Sequence, residues 1–276
     1  MTKQKTGLNR QNNNNFDKFY TKKNVVDLCI KNIEKYIDID KNDLIIEPSA
    51  GNGSFIDSIK NLSDNYKFFD IAPEHPDIIN QDFLEFKLNN NNFNKIHIIG
   101  NPPFGRQSSM TIKFIKKCSN FNTISFILPK SFKKYTMQKY FPKSFHLLYS
   151  IDLPNNSFLV NNIEHDVPCV FQIWEKKNYY RIIPTKLKPN NYEFVKKNEN
   201  PDISFRRVGV YAGKIDAETD KSEQSHYFIK FNKNLGDINS IINKLNNISF
   251  ETNNTVGPKS ISKQEIIKEF NNSLIS

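Results

Sequence analysis

The residues best equipped for chemistry lie in one short stretch, Asn101-Pro102-Pro103-Phe104. It offers a side-chain amide, a row of backbone carbonyls and an aromatic ring. Neither proline carries an N–H, so nothing in the stretch competes for those carbonyls. Upstream, Ile96-His97-Ile98-Ile99-Gly100 is a short apolar run that predicts a buried strand, and the prolines force the chain out of the sheet at its end. At the carboxyl edge of an open α/β sheet, such a loop sits where ligands bind. Taken alone, Asn-Pro-Pro fits a plain strand-to-loop stop equally well, so the residues before it decide.

Four segments precede it. Phe19-Tyr20-Thr21 leads into Val25, Val26, Leu28, Cys29, Ile33 and Tyr36, whose spacing predicts a helix beginning after Thr21. The Thr21 hydroxyl reads by default as its N-cap, and it also stands where a carboxylate would meet the free N–H groups. Next, Leu44-Ile45-Ile46-Glu47-Pro48-Ser49-Ala50-Gly51-Asn52-Gly53-Ser54-Phe55 predicts a strand, a glycine turn and a helix from about residue 54 to 61, with Phe55 packing behind the turn. The phosphate-binding fingerprint needs three glycines, and this turn has two. Glu47 would repel a pyrophosphate but attract an ammonium, which favours S-adenosylmethionine over a dinucleotide. Tyr66 to Asp70 ends a second strand in an acid, where a ribose diol would be held. Asp82 can accept from an adenine amino group, with Phe83 as a wall for the ring.

In this order, Phe19-Tyr20-Thr21, Glu47 to Phe55, Asp70, Asp82-Phe83-Leu84 and Asn101 to Phe104 resemble the gamma-group adenine-N6 DNA methyltransferases. The likeness covers residues 16 to 177. It implies a Rossmann-like class I methyltransferase fold: α/β, with a mainly parallel seven-stranded sheet. It also implies S-adenosylmethionine as cofactor, with Thr21 and Glu47 on the methionine moiety, Asp70 on the ribose, and Asp82 with Phe83 on the adenine. Tyr20, Pro48, Ala50, Gly51, Gly53, Phe55, Ile71 and Asn101 complete that site. Asn101, Pro102, Pro103 and Phe104 are the implied catalytic residues. A conjugated amine attacks a methyl sulfonium poorly until it is drawn toward tetrahedral geometry. The Asn101 amide oxygen and the Pro102 carbonyl would each accept one N–H to do that, while Phe104 stacks on the base. Phe158 stands where the family places an aromatic against the other face of the base.

Composition agrees with a polyanionic partner. The 276-residue chain carries a formal charge of +10 and a pI near 9.3. Residues 101 to 150 contain no acid but do contain Arg106, Lys130, Lys133 and Lys134, read as substrate-binding cations. Arg206 and Arg207, on a predicted short strand with Gly209 and Gly213 close by, are read the same way. The bland alternatives are a solvated lysine face and a charged edge strand. Cys29, Cys118 and Cys169 are far apart, which fits neither a metal cluster nor a disulfide framework and suits a reducing, intracellular compartment, cytoplasmic or nuclear. Cys169 in Pro168-Cys169 reads as a buried strand residue rather than a nucleophile. No apolar run reaches membrane-spanning length, and the amino terminus has no apolar core to serve as a secretory signal.

Three units are expected: a disordered Asn-rich tail at 1–15, a catalytic domain at 16–177, and a small α+β extension at 178–276 that binds substrate. The extension is predicted to contain strands at 179–183 and 226–231 and helices at 237–245 and 262–270. Only about 100 residues follow the catalytic region, whereas the family carries a large target-recognition domain. Specificity is then low, supplied by a protein partner or a second copy, or directed at RNA. The alternatives are a protein glutamine-N5 methyltransferase, an RNA guanine-N2 methyltransferase, and a nucleic-acid-binding subunit without turnover.

Overall fold

The structure is a computed structural model and describes residues 19–88, 92–232, 236–250 and 259–274; the expected tail at 1–15 lies outside these. The first half contains β1 (Tyr20–Thr21), α1 (Lys23–Tyr36), β2 (Leu44–Glu47), α2 (Ile56–Leu62), β3 (Asn65–Asp70), β4 (Ile78–Asn80), β5 (Ile96–Gly100), α3 (Ser109–Lys117) and β6 (Thr123–Pro129). There follow α4 (Tyr135–Gln138), β7 (Phe145–Asp152), β8 (Phe158–Val160), β9 (Ile163–His165) and β10 (Cys169–Lys176). The carboxy-terminal part adds β11 (Tyr192–Val195), β12 (Ile203–Arg206), β13 (Ile215–Asp216), β14 (His226–Phe231), α5 (Ile238–Asn246) and α6 (Lys263–Leu274).

Seven strands form the central sheet in the order β4-β3-β2-β5-β6-β10-β7. All are parallel except β10, which runs antiparallel to both neighbours. This is the Rossmann-like class I methyltransferase arrangement. Strands β2, β5 and β6 are buried along their whole length, as continuous apolar runs covered on both faces must be. One face packs α1 and α2 through Val26, Cys29, Ile33 and Ile59. The other packs α3 through Phe114, Ile115 and Cys118. Parallel strands place all their carboxyl ends on one edge, and the Asn101 loop leaves from it.

At the opposite edge, the starts of β2, β5 and β6 meet in a buried chain of polar groups. His97 Nδ1 lies 2.8 Å from Thr123 Oγ1 and His97 Nε2 lies 3.2 Å from Asp43 Oδ2. All three residues are 2 % exposed or less, so the arrangement braces strand starts rather than meeting substrate.

The carboxy-terminal elements build a second layer, the four-stranded sheet β11-β14-β12-β13 packed on α5 and α6 around Phe205, Ile229, Leu245 and Phe270. Both helix starts are capped by side chains. Asp237 accepts from Ser240 N at 2.8 Å. Ser262 and Glu265 form the reciprocal capping box, at 2.8 and 3.4 Å. No strand forms at 179–183. That stretch is instead pinned by Arg181, whose guanidinium donates to the carbonyls of Gln138, Phe141, Pro142 and Phe145 and lies 5.4 Å from the centre of the Trp174 ring. Among the described residues, no helix is long and apolar enough to cross a membrane.

Candidate functional site

Two strand ends make the centre. Gly100 closes β5 at φ 151°, where a Cβ would come within 3.2 Å of Glu47 Cγ, so glycine lets the strand end directly against the carboxylate that closes β2. The next residue, Asn101, is held three times. Its carbonyl accepts from Ser49 Oγ at 3.0 Å. Its Nδ2 lies 3.4 Å from the Phe19 carbonyl and 3.4 Å from Thr21 Oγ1. A carbonyl can only accept, so the amide nitrogen must be the atom facing Phe19, which fixes the side chain's orientation. The oxygen, Oδ1, then points elsewhere: it is buried and without a hydrogen-bond partner.

The loop's carbonyls sort in the same way. Pro103 O accepts from Thr111 Oγ1 at 3.1 Å, and Phe104 O accepts from Met110 N at 3.2 Å. The Pro102 carbonyl takes no donor among the described residues. Beyond Phe104 the chain turns through Gly105 (φ 65°), Gln107 (φ 53°) and Ser108 (φ 60°), with Arg106 exposed between them. Left-handed backbone at non-glycine residues costs about 1 kcal/mol or more each, and such strain gathers where a loop must hold one shape.

Glu47 is 2 % exposed and its Oε2 has no hydrogen-bond partner. Burial, and then the nearby Asp70 charge, push its pKa well above the usual carboxylate range. A ligand ammonium would relieve that cost. Asp70 braces the glycine turn: Oδ2 accepts from Gly51 N and Oδ1 from Ala72 N, each at 2.8 Å. A carboxylate has about four acceptor sites, so a diol can still reach it. Beside it, Ile71 is 53 % exposed. Gly51 (φ 56°) lies under the Tyr20 ring, and a Cβ at Gly53 (φ 85°) would strike Ile56 Cδ1 at 2.8 Å, so the turn needs both glycines. Pro48 and Ala50 form its near side, Phe55 is buried behind it, and Asp82 Oδ1 caps Leu84 N at 2.8 Å.

The amino-terminal segment reaches this edge because β1 pairs with β8, with Thr21 opposite Phe158. Thr21 is therefore not the helix cap; Lys22 occupies that position, and the Thr21 hydroxyl faces Asn101 instead. Tyr20 spans the glycine turn, its hydroxyl donating to Glu74 at 2.7 Å. Burial, and then Glu74, raise its pKa to about 12.

Several expected roles meet different surroundings. The Phe83 ring is 1 % exposed, packed among Phe69, Phe86 and Phe114, so only its backbone can border a ligand. Phe158 is also 1 % exposed, lying beneath Phe19 edge to face at 6.3 Å. Lys130 and Lys133 both pair with Asp152 at 3.1 Å. Lys134 donates to Ser260 O at 2.8 Å and meets Glu265 at 3.3 Å, which docks the carboxy-terminal layer. Arg206 Nε donates to Val208 O at 2.9 Å and Arg207 Nη2 to Gln224 O at 2.8 Å; both guanidinium groups shape their own loop. Ser49, Glu74 and Phe19 were missed as individual contributors. Their parts are a hydroxyl, a carboxylate and a main-chain carbonyl placed by distant segments, and no local pattern announces them. The described residues contain no grouping of His, Cys, Asp and Glu that could hold a metal ion, and the three cysteines are buried.

No family model matches the sequence, and no curated protein matches it significantly. Solved structures do resemble the fold. A Listeria monocytogenes protein assigned as a class I S-adenosylmethionine-dependent methyltransferase is 16 % identical, with a TM-score of 0.44 over 60 % of this chain and 63 % of that one. A Pyrococcus horikoshii protein assigned as an RNA methyltransferase is 14 % identical, with a TM-score of 0.43 over 56 % and 85 %. The 23S rRNA methyltransferase ErmE is 13 % identical, with a TM-score of 0.42 over 58 % and 71 %. Such likeness concerns the fold, and function has to be argued from the site.

Proposed function

We propose that this chain transfers the methyl group of S-adenosylmethionine to the exocyclic N6 amine of adenine in nucleic acid, DNA in preference to RNA. One observation carries the reading. Asn101 Oδ1 is buried without a partner, and the carbonyl of the next residue, Pro102, accepts from none of the described residues, while the Asn101 amide nitrogen and the Asn101 and Pro103 carbonyls are satisfied. Two adjacent open acceptors suit a group with two N–H donors.

The donor set fits the cofactor. Glu47 would hold its ammonium, with Thr21 nearby. Asp70 would meet the ribose diol. Asp82, the backbone at Phe83 and the exposed face of Ile71 would border the adenine, over the turn of Pro48, Ala50, Gly51 and Gly53. When bound, the cofactor supplies an electrophilic methyl group. The chain's own part is to seat the amine, to draw its two N–H groups onto Asn101 Oδ1 and Pro102 O so that the nitrogen lone pair leaves conjugation, and to lay Phe104 against the ring. An adenine must leave its stack to enter, at about a few kcal/mol, and single-stranded or mispaired sites lower that cost. Residues 16–177 would carry this chemistry and 178–276 would contact substrate.

Labelled methyl transfer to DNA, RNA and protein, followed by nucleoside and amino-acid analysis, tests the reading. N6-methyladenine is the expected product. The two acceptors would also fit the amide of a protein glutamine or the amine of guanine, and either product would replace this assignment. Asn101→Ala should lower transfer by about a hundredfold or more, while cofactor affinity, read by calorimetry, changes far less. Full transfer by that variant would refute the mechanism.

A further inference from the structure

We propose that the turn from Gly209 to Gly213 is a nucleic-acid contact, in which Tyr211 and Val210 stack against bases beside the one taken into the pocket. The proposal rests on the nucleic-acid reading of the Asn101 site and adds a surface to it. Val210 is 92 % exposed and Tyr211 74 % exposed. Scattered exposed apolar residues are ordinary, but the backbone under these two is firmly built. Arg206 N donates to Lys214 O and Gly213 N to Arg206 O, both at 2.8 Å, while Ala212 N reaches Gly209 O at 3.0 Å and Gly209 N reaches Lys259 O at 2.9 Å. Gly209 (φ 94°) and Gly213 (φ 106°) supply the left-handed backbone this tight shape needs. The side chains are thus presented on a rigid turn, and little ordering entropy remains to be lost on contact.

Charge selects the occupant. From Phe205 to Ile215 there is no acid, while Arg206, Arg207 and Lys214 are present; Lys214 meets Asp216 at 3.8 Å. Lys259 Nζ lies 3.9 Å from where a Gly213 Cβ would sit. An exposed aromatic and an exposed aliphatic side chain on a segment that carries cations and no acid suit a strand of bases and phosphates better than an apolar protein surface.

Position supplies the third argument. Val208 bridges to Ser260, and Ser260 O accepts from Lys134 Nζ at 2.8 Å. Lys134 follows the carboxyl end of β6, and β6 pairs in parallel with β5, which delivers Asn101. The turn is therefore tied, through the Lys134 side chain, to the segment that leaves β6 at the edge from which the acceptor loop leaves β5. An extruded base leaves a gap in its stack, and apolar side chains inserted between bases can fill such gaps.

The test uses the full chain and labelled adenine-containing oligonucleotides, single-stranded and duplex, followed by fluorescence anisotropy at one low salt concentration. Tyr211→Ala and Val210→Ser should each weaken binding, by about tenfold for the tyrosine, with cofactor affinity unchanged by calorimetry. Tyr211→Trp gives a direct readout. Its added indole should be quenched when oligonucleotide binds, while Trp174, 1 % exposed, stays constant. If the variants bind oligonucleotide as the parent chain does and Tyr211→Trp shows no quenching, the proposal fails, the turn is left to a protein partner, and the methyltransferase reading stands. If the parent chain neither binds nor methylates any nucleic acid, both fall together.

Discussion

The Asn101 amide nitrogen lies 3.4 Å from the Thr21 hydroxyl, joining residues 80 positions apart in the chain. Strand β1 brings them together by pairing with β8, so a two-residue strand at the edge of the fold orients the residue at its centre. The contact holds the amide with its nitrogen toward the amino-terminal segment, which leaves its oxygen buried and without a partner.

Thr21→Val removes that hydroxyl while keeping the shape of the side chain. One neutral hydrogen bond is worth about 0.5–1.5 kcal/mol, so methyl transfer should fall about two- to tenfold. The Phe19 carbonyl remains to hold the amide, so the loss should appear in kcat rather than in the KM for nucleic acid. A steady-state comparison with substrate varied over a wide range checks this. An unchanged kcat would mean that the Phe19 carbonyl alone positions Asn101.

Glu47 yields a prediction of opposite sign for stability and for binding. Its pKa is raised in the folded chain by burial and by Asp70, so the folded state holds this proton more tightly than the unfolded state does. Its contribution to stability therefore falls as pH rises above the unfolded value of about 4.3. Glu47→Gln removes the cost, and the ligand-free variant should melt at a higher temperature than the parent chain at neutral pH. Cofactor affinity should drop at least tenfold, because an ammonium loses its carboxylate. Because a bound ammonium would draw the raised Glu47 pKa back down, cofactor affinity in the parent chain should weaken as the pH is lowered. That pH dependence should vanish in Glu47→Gln.

The far edge of the sheet governs behaviour in acid. Burial holds the His97 pKa below its usual value against the pull of Asp43. Asp43 is raised by burial but carried below its usual value by hydrogen bonds from Asp40, His97 and Lys95. Both groups bind fewer protons folded than unfolded. The His97 contribution is lost as pH falls from about 6.5 through its lowered folded pKa, and that of Asp43 as pH falls below about 3.9. Between pH 7 and pH 5 the Glu47 contribution runs the other way, so the measurement is a difference: the thermal midpoint of the parent chain should fall relative to that of His97→Gln, whatever the variant's midpoint at pH 7.

Much of this was legible in the chain. Apolar runs ending in Gly or Pro marked β2, β5 and β6, and Ser262 with Glu265 marked the start of α6, because each signal is local. The Glu47, Gly51 and Gly53 turn was legible for the same reason. What escaped depends on contacts between distant segments. Lys130, Lys133 and Lys134 look free in sequence, but Asp152 and Glu265 reach them from elsewhere. Phe158 stands at the pocket by resemblance, as the aromatic before the strand at 167–174, yet it packs into the core beneath Phe19, about 140 residues earlier. A strand was expected at 179–183 from its β-branched and aromatic residues, and the Arg181 clamp on four carbonyls holds that segment away from any partner strand.

On the proposed reading, Phe19 takes the part of the ring that faces the base. Its carbonyl orients Asn101. Its ring is 38 % exposed and stands edge-on to Phe158 at 6.3 Å and to His165 at 6.0 Å. With Phe158 covered, Phe19 and Phe104 keep exposed surface at this edge. Phe19→Ala keeps the main-chain carbonyl and so leaves Asn101 oriented. Stacking on one base is worth about 1–3 kcal/mol, so the KM for nucleic acid should rise by about tenfold or more, with kcat and cofactor affinity changed much less. Phe19→Leu keeps apolar bulk without an aromatic face, and Phe19→Tyr restores the face. Recovery with tyrosine but not with leucine marks stacking; recovery with both would mean that the ring only packs over Phe158.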